Sequence, residues 1–293
     1  MAAIKSNSKV SQHVRSNSFP TAPHPIVSQF EEHLNRLKSS DSASSSSSSS
    51  LSHKLSGLQD LKDSCDRLLQ LSTSQQVLAK DCTKKWVDEL LDGSLWLLDI
   101  CTTAKDCLAQ SKESVYEVRS ALRRRGAEAA IFTAGAANYL ASRKNVKKAI
   151  QNALRDIKGI RNDLIVSSAA RENDMLSMMK EAESVTVSTL ESLLCFMSDP
   201  KGRSKQSRWS AISKLMQPKK VAGDSHEMVT NEFEKVDSTL KSLISQQKHA
   251  STDNLQGDLE SLEMCIEDLK IGVASLSRKL IRNRVSLLNI FNY

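Results

Sequence analysis

His226 and Glu227 stand in the order that opens an HExxH zinc-binding helix, but position 230 is Thr, so the second imidazole is missing. The histidines are isolated from one another, and His13, His24, His33 and His53 fall in or near the N-terminal segment. Cys65, Cys82, Cys101, Cys107, Cys195 and Cys265 contain no CxxC pair, whereas a zinc or disulfide framework would cluster them. Reduced, buried thiols are the expectation. The nine glycines lie at least nine residues apart, which excludes both GxGxxG and GxxxxGK phosphate loops. No Ser/His/Asp constellation can be nominated either. These residues predict no catalytic site, no metal, no cofactor and no enzyme.

One short motif does carry chemistry. In "RSNSFP" Arg15 stands three residues before Ser18, Ser16 follows Arg15, and Pro20 lies two residues after Ser18. This arrangement resembles the Arg-Ser-x-pSer-x-Pro ligand of 14-3-3 proteins. A phosphate on Ser18 would bring a charge of about −1.5 to −2 and accept charge-assisted bonds from a basic cradle. Pro20 would turn the chain out of the groove.

A second feature is electrostatic. The net charge is +7, and Lys201, Arg203, Lys205, Arg208, Lys214, Lys219 and Lys220 supply seven cations without one acid between 201 and 220. The remaining 34 basic residues balance 34 acidic ones, so the excess charge is this segment. As a helix it would align Trp209, Ile212, Leu215 and Met216 on one face among the cations. Such a face suits an anionic membrane surface. It also resembles a calmodulin target, and the bland alternative is a solvated linker whose Trp209 docks on the protein. Nucleic acid is not the expected partner.

The elements that must carry these features read as helices. Aromatic residues make up 4% of the chain, and its five prolines are confined to 20–25 and to positions 200 and 218. Leu, Ala, Lys, Glu and Ser fill the intervening spans, which favours helix over strand. Residues 1–50 read as a disordered arm ending in the polar linker "SSDSASSSSSSS", with a short amphipathic helix "IVSQFEEHLNRLK" within it. The body spans 51–293 and is interrupted by a basic segment at 199–224. Apolar stripes predict helices from Leu51 to Leu69, Lys84 to Leu122, Ala127 to Ile160, Asn173 to Ser198, Ser225 to His249 and Asp253 to Asn292. "STSQQ" reads as a polar break after the first of them. "RRRG" at 123–126 closes the second with cations and a glycine.

The last helix carries a heptad seam through Leu259, Leu262, Ile266, Leu269, Val273, Leu276 and Leu280, with Asn283 at a later d position. A parallel homodimer would oppose Asp258 to Glu263 and Lys279 to Arg284, both like-charged pairs. An antiparallel neighbour fits better, and packing inside one chain is favoured over dimerisation. The predicted architecture is all-α: an elongated multi-helix bundle with long antiparallel helices and a disordered N-terminal arm, monomeric in preference.

"RSNSFP", "WVDELLDGSLWLLDIC", "ALRRRG", "YLASRKNVKKAI", "WSAISKLM" and "LIRNRVSLLNI" occur in this order along the chain. Together they resemble a land-plant family catalogued as domain of unknown function 241 and related to the BYPASS proteins. The resemblance implies an association with root and shoot development and no known catalysis. It supplies no site residues. The combined expectation is a non-enzymatic helical interaction protein that binds protein partners, with 14-3-3 docking at Ser18. The alternative is a peripheral membrane protein held by 201–220. A cytoplasmic location is expected, membrane-peripheral under that alternative, and the Ser-rich, acid-poor start is a weaker match to an organellar transit peptide.

Overall fold

A computed structural model describes residues 24–42, 47–81, 84–124, 129–167, 174–198, 231–246 and 252–291. Among the described residues there are eight helices and no strand. They are α1 (Pro25–Ser42), α2 (Ser48–Leu69), α3 (Ser72–Asp81), α4 (Lys84–Arg123), α5 (Ala129–Ser167), α6 (Asp174–Ser198), α7 (Glu232–Gln246) and α8 (Thr252–Phe291). At a rise of about 1.5 Å per residue, α4 and α8 each run for some 60 Å. The chain is an all-α bundle with long antiparallel helices.

α8 is the axis of that bundle. Leu255, Leu259, Leu262, Ile266, Leu269, Val273, Leu276 and Leu280 are all buried on one side of it. Their 3-4 spacing lays a continuous apolar seam against both α2 and α4. Polar bonds across the seam fix the two directions. Lys112 bonds Glu267 and Arg119 bonds Glu263, while Arg284 reaches back to Ser94, so α4 runs antiparallel to α8. Gln59, Asp63 and Asp66 meet Ser275, Lys279 and Ser286 in order, so α2 runs parallel to it. The acidic start of α8 therefore meets the basic end of α4 within one chain.

α4 turns back into α5 as a long hairpin. Ser114 donates to Ser142 at 2.7 Å, and Ala121 faces Gly135 so closely that a Cβ on Gly135 would lie 2.9 Å from that of Ala121. Glycine lets the two helices approach there. α6 covers the side left between α2, α4 and α5, and α7 closes one end against α5 and α8.

The N-terminal elements differ from the sequence expectation. The segment read as a weak helix inside a disordered arm is α1, which packs antiparallel on α2 and buries Phe30, Leu34 and Leu37 in the common core. Part of the expected serine linker is helical too. Ser39, Ser40 and Ser42 lie in the last turns of α1, and Ser48 to Ser50 form the first turn of α2. The cause is local: the Ser47 hydroxyl accepts a bond from the Ser50 N–H and caps α2 at its true start. The body thus begins ahead of Leu51. The "STSQQ" break is also helical, as α3, whose Leu78 is fully buried against the core.

Candidate functional site

The strongest polar constellation lies where α5, α6 and α7 meet. Tyr139, Arg143, Val146 and Ile150 follow one another at steps of four, three and four on α5, and all are buried. That register carries the Arg143 guanidinium inside, where 3% of the residue is exposed. Its Nε–H donates to Asp237 Oδ1 at 3.1 Å and its Nη2–H to the Met197 carbonyl at 2.9 Å. The guanidinium sits 4.5 Å from the centre of the Phe233 ring, and Phe196 packs edge-on against Phe233. A buried cation is tolerated when an anion, a carbonyl and an aromatic face replace its water in this way.

Asp237 takes a second cation, with Lys147 Nζ 3.0 Å from Oδ2. Burial alone would raise the Asp237 pKa, but the Arg143 and Lys147 charges outweigh it and hold the carboxyl below its ordinary range. The Tyr139 hydroxyl is pushed the other way, by its own burial and by the neighbouring Asp237 carboxylate. Asn231 links the ends of two helices. Its amide donates to the Phe196 carbonyl at 2.8 Å, and its carbonyl oxygen accepts from the Glu234 N–H at 2.7 Å as the N-cap of α7. Above this cluster opens a cleft of about 220 Å³, whose rim includes Lys147, Ser198, Glu234 and Lys241.

A second polar layer crosses the bundle between α2, α4, α6 and α8. Lys180 Nζ lies 2.5 Å from Glu89 and 4.0 Å from the centre of the Trp86 ring. Glu183 faces Gly93, where an added Cβ would come within 3.0 Å of its carboxyl oxygen. Part of the Glu183 side chain keeps contact with solvent, but dense surroundings push its pKa up to about 7. Lys62 and Lys180 pull in the opposite direction and Glu89 adds to the rise. Nearby, Asn283 interrupts the apolar seam of α8 and donates to the Lys62 carbonyl at 3.0 Å, while its Oδ1 is buried without a partner.

The buried thiols among the described residues are poor nucleophiles. Cys65, Cys101, Cys107 and Cys265 are buried and form no disulfide, and burial pushes Cys65 up to about 11 and Cys101 and Cys265 up to about 12. Cys65, Cys101 and Cys265 therefore remain protonated at neutral pH. Among the described residues no group of three or more His, Cys, Asp or Glu side chains could hold a metal ion. No helix among them is long and apolar enough to cross a membrane.

The residues singled out in the sequence have divergent placements. The seam of Leu259, Leu262, Ile266, Leu269, Val273, Leu276 and Leu280 is brought together in the core. Arg15, Ser16, Ser18 and Pro20 lie outside the described residues, as do Lys201, Arg203, Lys205, Arg208, Trp209, Ile212, Lys214, Lys219 and Lys220. The Arg143–Asp237 pair was missed. In the sequence Arg143 stands among Lys144, Lys147 and Lys148, although it is in register with Tyr139, Val146 and Ile150. Its partner is 94 residues away.

A family model described as Protein BPS1 matches residues 54–290. The chain belongs to the BPS1 family. This is the BYPASS-related plant family that the sequence motifs resemble, and the match takes in α3 to α7 entire, α2 from Lys54 onward and α8 up to Ile290. The BPS1 match thus contains the Arg143 cleft and the Glu183 layer, while α1 lies before it. Comparison with curated proteins and with solved structures returned no match.

Proposed function

We propose that this chain is a non-enzymatic helical interaction protein acting in plant root and shoot development, regulated by phosphorylation of Ser18 and docking of a 14-3-3 protein there. The observation that carries the regulatory part is the complete motif Arg15-Ser16-Asn17-Ser18-Phe19-Pro20, seven residues ahead of α1 at its serine. Membership of the BPS1 family supports the developmental setting. The closed apolar seam supports action through surfaces rather than through an opened core.

A peptide spanning His13 to Pro25 with phosphate on Ser18 is expected to bind a 14-3-3 protein, and the plain peptide far more weakly, because it lacks the dianion. Ser18→Glu is a poor substitute, since one carboxylate has neither the charge nor the oxygens of phosphate. Equal calorimetric titrations of the two peptides would remove the regulatory reading.

A second reading rests on the basic segment. α6 ends at Ser198 and the next described residue, Asn231, is bonded to Phe196. Ser198 and Asn231 therefore lie at one corner of the bundle, and the sequence between them contains the seven cations. Held this way, it would bring the bundle to an anionic lipid surface, each Lys or Arg contributing up to about 1 kcal/mol. Cosedimentation with phosphatidylserine vesicles should fall with salt and fall further with Lys205→Glu and Arg208→Glu. Equal recovery of both proteins on neutral and anionic vesicles would discard it.

A further inference from the structure

We propose that the cleft between α5, α6 and α7 is a binding site for a small organic carboxylate with an apolar body. Three observations converge on it. The first is an unspent donor: Arg143 Nε and Nη2 are engaged, but Nη1 is buried with no hydrogen-bond partner. A buried donor left unmade costs about 1–3 kcal/mol, which an acceptor reaching Nη1 would recover.

The second observation is charge. The cleft is lined by Arg143, Lys147 and Lys241 against Glu234 and Asp237, three cations to two anions. Because Asp237 is held below the ordinary carboxylate range, it stays charged and the lining keeps a net charge of +1 at neutral pH. A monoanion neutralises that. A phosphate dianion would overshoot it and face two carboxylates, so the balance selects a carboxylate.

The third is shape and lining. About 220 Å³ is room for a body larger than acetate, and Phe196, Met197 and Phe233 supply apolar wall beside the polar groups. Nη1 is closed from solvent, so the ligand reaches it when a rim side chain swings aside. Lys147 and Lys241 are flexible and partly or fully exposed, and they are suited to that movement. The carboxylate would then lie between Nη1 and the rim ammonium groups, with the apolar body toward the aromatic pair. The α7 N-terminus at Asn231 opens on the same cleft, and its dipole favours the same sign of ligand.

The test is titration of the full chain with phenylacetate, with the neutral isostere phenylacetamide and with inorganic phosphate, followed by calorimetry and thermal melting. Phenylacetate should bind saturably with a Kd of about 1 mM or tighter and raise the melting temperature. Phenylacetamide and phosphate should bind at least about tenfold more weakly. Lys241→Glu, an exposed change that should leave the melting temperature of the free protein intact, should weaken phenylacetate about tenfold by reversing a rim charge. Arg143→Lys keeps a cation beside Asp237 but removes the forked donor, and should abolish the phenylacetate response. Absence of saturable phenylacetate binding up to about 10 mM, or equal affinity for acid and amide, overturns the proposal. So does phenylacetate binding that Lys241→Glu leaves unchanged.

Discussion

Glu183 shows how a single residue can tie stability to pH. Its carboxyl group is pushed up to about 7 by burial, from the 4.5 of an ordinary glutamate, so between these values the folded protein holds a proton that the unfolded chain has released. Between those two values the folded state binds more protons than the unfolded state, and stability must fall as pH rises. A shift of this size corresponds to about 3 kcal/mol at full desolvation. The partial exposure of Glu183 brings the expected loss to roughly 1–2 kcal/mol. Urea denaturation at pH 5 and pH 8 should show this decline, and Glu183→Gln should flatten it and make the protein more stable at pH 8. An unchanged pH profile in the Gln variant would mean that Glu183 is not the titrating group. The sequence gives little warning of such residues. Glu183 looks like any helical glutamate, and its environment is made by Gly93 and Lys62 from two other helices. Arg143 was more legible, because its spacing from Tyr139 and Val146 is that of a core position. Its charge concealed the register.

At the scale of elements, most of the fold could be read because the long helices carry their own punctuation. α4 starts at Lys84, where the pattern places it, and its last residue, Arg123, opens the "RRRG" stop. α6 and α8 begin and end within a residue or two of their predicted limits. α3 was invisible for a physical reason: ten residues with one fully buried leucine leave too little pattern, and its helicity depends on packing against α6 and α8. α1 was visible as an amphipathic helix, but no local signal says what its apolar face covers. The α8 seam can be tested by contrast within one helix. Leu276 is fully buried, while Ile281, five residues on, is half exposed. Leu276→Asp should cost about 4 kcal/mol or more, from a lost apolar contact and a buried charge. Ile281→Asp should change stability by less than about 0.5 kcal/mol. Similar denaturation midpoints for the two variants would show that the seam is not the bundle's interior.

For the whole molecule, the question is where the cooperative unit begins. The family match starts at residue 54, inside α2, which suggests a body without α1. The packing says otherwise. Phe30, Leu34 and Leu37 are almost wholly buried, and Leu37 lies so close to Gly57 that a Cβ there would meet it at 2.9 Å. Lys38 bonds Glu181 and Arg36 bonds Asp60, so α1 is tied to both α2 and α6. Burying three such side chains is worth about 5–8 kcal/mol before the cost of ordering the helix. The cost of ordering the helix opposes this gain, and the observed packing of α1 implies that the balance favours docking. A chain of residues 47–293 should therefore unfold at a lower urea concentration than the full chain. Phe30→Ala should lower stability in the same direction, by no more than removal of α1 does. If the shortened chain kept the midpoint of the full one, α1 would be an ornament on the bundle and not a part of it. The result also bears on Ser18, seven residues before α1 in the chain. With α1 fixed in the core, a protein docked at Ser18 as proposed would be tethered to α1 through residues 19–24 of the chain. With α1 detachable, the same binding event could pull it away and expose the apolar surface of α2. The melting behaviour of the 47–293 chain decides between those two consequences.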